Sequence, residues 1–202
     1  GGQARVPLVI RQPSGMWRSS AAQHSQSLEA WYTHIPGLVV AAPYTPADNK
    51  GMLKSAIRCD DPVIYIEHKD NWALEGEVPD EDDYLVPLGA ARLAREGKDL
   101  TLVTWSKMVG VAAQAAELAA AQGIGIEIID LRTLWPWDQD IVFASLEKTK
   151  RLLVVHEAVQ VGGFGAEIAA TVAEHMAHEL IAPIRRLGAP RAPISYAKPL
   201  ED

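Results

Sequence analysis

Short apolar runs alternate with amphipathic stretches along most of this chain. Runs at Val6–Ile10, Leu38–Ala42, Pro62–Glu67, Leu100–Trp105, Ile126–Leu131, Arg151–His156 and Pro183–Leu187 are mostly rich in Val, Ile and Leu without strict polar alternation. Strands covered by helices on both faces have this character, so the pattern predicts βαβ units around parallel sheets, an α/β fold. Between the runs, apolar residues recur at helical spacing. Ser25 is placed to cap a first helix carrying Leu28, Trp31, Tyr32 and Ile35, stopped by Pro36-Gly37. A second starts with Thr45 as N-cap, Pro46 in its first turn and Asp48 three residues after the cap, with Met52, Leu53, Ala56 and Ile57 as its core face. An alanine-rich helix spans Met108 to Gln122 and ends at Gly123, a shorter one follows Asp138, and the last runs from Phe164 to Leu180 with Ile168, Val172 and Met176 on one side.

Around Lys69–Gly97 the periodicity fails, broken by Gly76, Pro79, Pro87 and the acidic run Glu75, Glu77, Asp80–Asp83. This divides the chain into residues 1–70, a solvated linker at 71–97, and an independent domain at 98–202. The first segment is short for a sheet that needs helices on both faces. Either it borrows a partner's surface or its front has been removed, and the second reading is preferred.

Composition narrows the function classes. A formal net charge of -7 disfavours non-specific nucleic-acid binding, which depends on clustered Lys and Arg. The single cysteine, Cys59, excludes an internal disulfide framework and any multi-cysteine zinc site, and fits a reducing compartment. No apolar run reaches the ~20 residues of a membrane span, so no membrane partner is expected.

Local motifs leave several readings open. Gly162-Gly163-Phe164-Gly165 follows a strand and opens a helix, where free N–H groups could cradle a phosphate. Ile168 stands where a dinucleotide fingerprint needs its third glycine, so a close-packed turn is the plainer alternative. His175 and His178 could share a metal but lack a third ligand, and His34 lies at a helix end. His156, at a strand end beside Glu157, lies where open α/β sheets bind ligands. His24 follows a strand and the polar loop Gln12–Gln23, placing an imidazole in a loop on the carboxyl side of the sheet, suited to proton transfer.

Beyond these motifs, the chain resembles the β subunits of thiamine-diphosphate-dependent 2-oxo acid dehydrogenases (the pyruvate, branched-chain 2-oxo acid and acetoin enzymes). The resemblance rests on Val6–Arg11, Ala22–Trp31, His34–Leu38, Lys54–Arg58, Asp61–Val63, Glu67-His68, Val86–Gly89, Asp130–Leu134, Gly162–Ile168 and Tyr196–Glu201, in order along essentially the whole chain. It implies a partial pyrimidine-binding domain of the thiamine-diphosphate-binding fold, followed by a Rossmann-like transketolase C-terminal domain. It implies thiamine diphosphate and Mg²⁺ in the parent assembly, held mostly by an α subunit. No residue of this chain is assigned to them. The partners implied are that α subunit in an α2β2 heterotetramer, a second β subunit and a lipoyl acyltransferase core, in the cytoplasm or the mitochondrial matrix.

By the same resemblance, His24 matches the active-site histidine that assists reductive acylation of the lipoyl group, and Arg11 supports it. Backbone carbonyls of Leu8, Ala56, Ile57, Cys59 and Asp61 match a structural K⁺ site. The family's glutamate that activates the aminopyrimidine lies upstream of Gly1, so the 202-residue chain alone is expected to lack decarboxylase activity. Departures occur at Trp17 and Arg18, where many relatives have small residues, and at His68–Trp72. Two alternatives stand beside the enzyme-subunit reading. One is a non-catalytic interaction module or truncated chain forming homo-oligomers; the other is a fragment of a transketolase or deoxyxylulose-phosphate synthase relative. The subunit reading expects an exposed apolar face, with Trp31, Tyr32, Trp135 and Trp137 as candidates.

Overall fold

In the computed structural model, which describes residues 4–201, strands gather into two sheets. The first contains β1 (Val9–Ser14), β2 (Val39–Ala41), β3 (Val63–His68) and β7 (Thr133–Trp135), ordered β1-β3-β2-β7. Its first three members are parallel and β7 runs antiparallel to β2. The second contains β4 (Arg92–Arg95), β5 (Leu100–Thr104), β6 (Ile126–Asp130), β8 (Leu152–Val159) and β9 (Arg185–Ala189), ordered β4-β6-β5-β8-β9. Here β4 alone is antiparallel. The helices are α1 (Glu29–Thr33), α2 (Pro46–Ile57), α3 (Met108–Ala120), α4 (Gln139–Thr149), α5 (Gly165–Met176) and α6 (Lys198–Glu201).

Local chemistry explains the firmest boundaries. Thr45 caps α2 by accepting the Asp48 N–H at 3.1 Å, with Pro46 at the start of the helix. Asp138 caps α4 through the Ile141 N–H at 3.3 Å. Other boundaries differ from expectation. The first strand begins at Val9 and continues through Pro13, which an edge strand tolerates because no inner ladder bond needs its missing N–H. Ser25 does not cap α1, whose first residue is Glu29; its side chain is buried instead. Ile57 is exposed, so the core face of α2 rests on Met52 and Ala56. The expected linker contains β4, and it is strapped to α2. Ser55 Oγ donates to the Val86 carbonyl at 2.7 Å, and the Lys50 and Lys54 ammonium groups reach the Pro79 and Asp82 carbonyls. Gly51 permits this approach, since a Cβ there would stand 2.6 Å from Val86 Cγ2.

Period-two geometry divides the first sheet between two cores. Ala41, Val63 and Tyr65 face α2, with Met52, Ala56 and Val86. Val40, Ile64 and Ile66 face the other way, joining Val103, Trp105, Leu131, Leu134 and Val154 of the second half. The open face of the short first segment is therefore covered by the second half of this same chain. A third cluster joins α3 to its sheet through Leu102, Ala112, Ala116 and Ile128.

The turn between β6 and β7 brackets the two sheets. Asp130 ends β6, Arg132 adopts a left-handed conformation with φ 57°, and Thr133 begins the strand that joins the other sheet. Arg132 Nη1 donates to Asp48 Oδ1 at 2.8 Å, and its other N–H groups reach the Ala90 and Ala91 carbonyls at 2.9–3.1 Å. Asp130 accepts from Arg92 Nη2 at 3.2 Å. Burial nevertheless dominates, pushing the Asp130 carboxyl up from 3.8 to about 7 against the Arg92 charge. The folded state thus holds a proton that the unfolded state releases. This contribution to stability is complete below about pH 3.8 and is lost as pH rises through about 7. Denaturant unfolding of the wild type and Asp130→Asn across this range is expected to show wild-type stability falling relative to the variant as pH rises. Parallel profiles would contradict the assignment.

Candidate functional site

The carboxyl ends of strands from both sheets converge, as open α/β architectures require of a ligand site. Ser14 ends β1, His68 ends β3, Ala42 follows β2, Trp105 and Ser106 follow β5, and Glu157 comes from β8. They enclose a cavity of about 20 Å³ with Glu29 and Lys107, room for about one water. Beside it opens a cleft of about 510 Å³, lined by Arg11, Tyr44, Glu67, Asn71 and Trp72 among others.

A carboxylate and an imidazole tie the two halves together here. Glu157 Oε2 lies 2.8 Å from His68 Nε2, and Glu157 Oε1 accepts the Met16 N–H at 2.6 Å. His68 Nδ1 accepts the Asp70 N–H at 3.1 Å, so the ring proton sits on Nε2 and points at Glu157. Burial alone would raise the Glu157 carboxyl. The hydrogen bonds from His68 and Met16, with the Lys107 charge, outweigh it and hold the group below the usual range. Nearby, Glu29 is buried and accepts from Trp105 Nε1 at 3.2 Å; desolvation raises its carboxyl.

Met16 opens the loop that leads to His24. Along it Gly15 (φ 87°), Arg18 (44°), Ser19 (56°) and Ala21 (55°) are left-handed, a strained run for three residues with side chains. Hydrogen bonds hold it: Gly15 N–H reaches the Gln26 carbonyl at 2.8 Å, and Ser19 N–H reaches Glu201 Oε2 at 3.1 Å. Trp17 lies against Trp72 at 6.4 Å, with the Arg18 guanidinium 5.4 Å from its ring. His24 closes a 3-10 turn at Ala22–His24, its side chain exposed and its carbonyl held by the Lys69 ammonium.

The remaining sequence candidates separate clearly. Arg11 makes a bidentate pair with Glu67 at 3.0 and 2.8 Å. Leu8, Ala56, Ile57, Cys59 and Asp61 gather at the opposite end of the first sheet. There the Leu8 carbonyl accepts the Val63 N–H at 2.8 Å and the Ala56 carbonyl accepts the Cys59 N–H at 3.2 Å. The Ala56 carbonyl also accepts the Arg58 N–H at the C-terminal end of α2, the negative end of its dipole, where carbonyl oxygens with a second lone pair suit a monovalent cation. Among the described residues no group of three or more His, Cys, Asp or Glu is placed to hold a metal. His34, His175 and His178 are on the surface. Trp31 and Trp135 are exposed, Tyr32 is partly buried, and Trp137 lies in the core.

His156 is a packing residue. Its ring stacks on Trp105 at 5.3 Å and donates Nδ1–H to the Ala158 carbonyl at 3.0 Å, leaving Nε2 buried without a partner. Burial lowers its pKa, as expected of a ring with no place for a second proton. Gly163 and Gly165 leave room for it. A Cβ at Gly163 would stand 2.6 Å from His156 Cε1, and one at Gly165 2.8 Å from Cδ2. Gly165→Ala is therefore expected to cost about 1–3 kcal/mol through overpacking, read from denaturant midpoints. An unchanged midpoint would contradict the packing assignment.

Comparison with known proteins places these features in a family. Residues 1–73 match the transketolase pyrimidine binding domain, and residues 89–202 match the transketolase C-terminal domain. The β subunit of the acetoin:2,6-dichlorophenolindophenol oxidoreductase of Cupriavidus necator is 48% identical over 202 residues, all of this chain and 60% of that protein. The β subunit of the mitochondrial pyruvate dehydrogenase E1 component of Dictyostelium discoideum is 43% identical over 205 residues, all of this chain and 58% of that protein. A split-gene transketolase described as an inactive β4 tetramer shares the fold, with a TM-score of 0.76 at 23% identity over 97% of this chain and 61% of that one. The chain thus spans 58–60% of the length of these two β subunits.

Proposed function

The chain belongs to the transketolase family, with relatives among the β subunits of pyruvate and acetoin dehydrogenases, and on that footing we propose that it serves as the β-side portion of a 2-oxo acid dehydrogenase. The reaction is oxidative decarboxylation of a 2-oxo acid with transfer of the acyl group to a lipoyl domain. The partners are an α subunit, a second β subunit and a lipoyl acyltransferase core. The exposed Trp31, Ile35 and Trp135 support a subunit interface. We read residues 1–70 as the pyrimidine-binding part and 98–202 as the C-terminal domain, joined through 71–97. Cytoplasm or mitochondrial matrix suits this role, and no described helix is long and apolar enough to cross a membrane.

One observation carries the proposal: an exposed imidazole sits at the carboxyl ends of the strands, on a loop fixed from both halves of the chain. Thiamine diphosphate, when bound, supplies the carbanion-stabilising centre. His24 supplies a ring N–H that can be given to a developing negative charge, or to the lipoyl sulfur as its disulfide opens, and then regained. Carbonyls of Leu8, Ala56, Ile57, Cys59 and Asp61 would hold K⁺ at the far end of the sheet, where the ion would stabilise the turn between α2 and β3. Activity is expected of the assembly with an α subunit, rather than of this chain alone.

In that assembly, His24→Ala is expected to lower lipoyl acylation by ~10²–10⁴-fold with little change in melting temperature, because the exposed ring packs against no core cluster. Acyl transfer is read by mass spectrometry of the lipoyl domain. Undiminished transfer would overturn the assignment of His24.

A further inference from the structure

His24 needs a fixed position to exchange protons productively, yet it stands at the end of a strained surface loop. Two hydrogen-bonded routes lead to it, and both pass through Glu157. Along the first, Glu157 Oε1 takes the Met16 N–H at 2.6 Å, fixing the start of the loop. Along the second, Glu157 Oε2 lies 2.8 Å from His68 Nε2, and His68 Nδ1 takes the Asp70 N–H at 3.1 Å. That orders the turn carrying Lys69, whose ammonium holds the His24 carbonyl. Gly15 lies flat on the His68 ring, where any Cβ would overlap the imidazole. The loop, the turn and the second domain are therefore keyed together.

We infer that Glu157, through His68, is a positioning residue for His24, transmitting the docking of the second domain to the geometry of the active-site loop. This rests on the reading of His24 given above. Glu157 is three-quarters or more covered and His68 nearly fully so, with side-chain exposures of 20% and 4%, so water competes little for either bond. The two bonds also make opposite demands on any replacement. A glutamine at 157 can accept from Met16 only by turning its NH₂ group toward His68 Nε2. The ring must then move its proton to Nδ1, which breaks the bond from the Asp70 N–H.

The test is a double-mutant cycle in the assembly with the α subunit, reading single-turnover acyl transfer to a lipoyl domain and the melting temperature. Glu157→Gln is expected to slow transfer by about 10–100-fold in the wild-type background, with substrate KM little changed. In the His24→Ala background it is expected to cause no further loss, because both changes act on the same step. His68→Gln should reproduce both results, and it serves as the second variant if Glu157→Gln does not assemble. Equal losses in the two backgrounds, or full activity of Glu157→Gln beside wild-type His24, would overturn the inference alone. Full activity of His24→Ala would overturn the parent reading and this inference with it.

Discussion

A guanidinium leaves water only where its N–H groups find oxygens, since an unpaired buried charge costs several kcal/mol. Arg132 meets that condition with the Asp48 carboxylate on α2 and the carbonyls of Ala90 and Ala91 at the end of the linker strap. Asp48, Ala90-Ala91 and Arg132 itself are far apart in sequence, so the demand is satisfied in one arrangement of the two halves. In that arrangement β7 reaches the edge of the first sheet and the open face of that sheet is sealed by Trp105, Leu131 and Leu134. The carboxyl ends of both sets of strands then point into a common space. The site is a consequence of how the halves dock.

Much of the fold was legible because parallel strands buried on both faces advertise themselves as unbroken apolar runs. Thr45-Pro46 and Asp138 marked helix starts through chemistry that acts within four residues. What escaped was set by distant contacts. β4 and β7 are short, and β4 is half charged; each is a strand because a neighbouring strand offers it an edge. The left-handed Arg132 carries no local signal at all. Ser25 resembles a cap on composition, but the chain buries it and begins α1 later.

The site divides along the same line. His24 stood out as a loop histidine, and only the family resemblance gave it a specific role. His68 and Glu157 each sat at the end of an apolar run, a position that marks ligand sites in such folds. Their pairing spans 89 residues and follows from no spacing rule. The glycine run at 162–165 shows the reverse case, a motif suggestive of phosphate binding in which Gly163 and Gly165 leave space for the buried His156 ring. Chemistry at the surface and packing beneath it use the same residue types, and only the fold distinguishes them.

The central claim is that docking of the two halves orders the loop that carries His24. Amide hydrogen exchange of Gly15 and Met16, whose N–H groups bond to the Gln26 carbonyl and the Glu157 carboxylate, tests it most directly. The account predicts that both amides are protected in the assembled protein and exchange with the same free energy as core amides of β3 and β8, since opening the loop requires separating the halves. Exchange at the rate of an unstructured loop, while β3 and β8 stay protected, would contradict it.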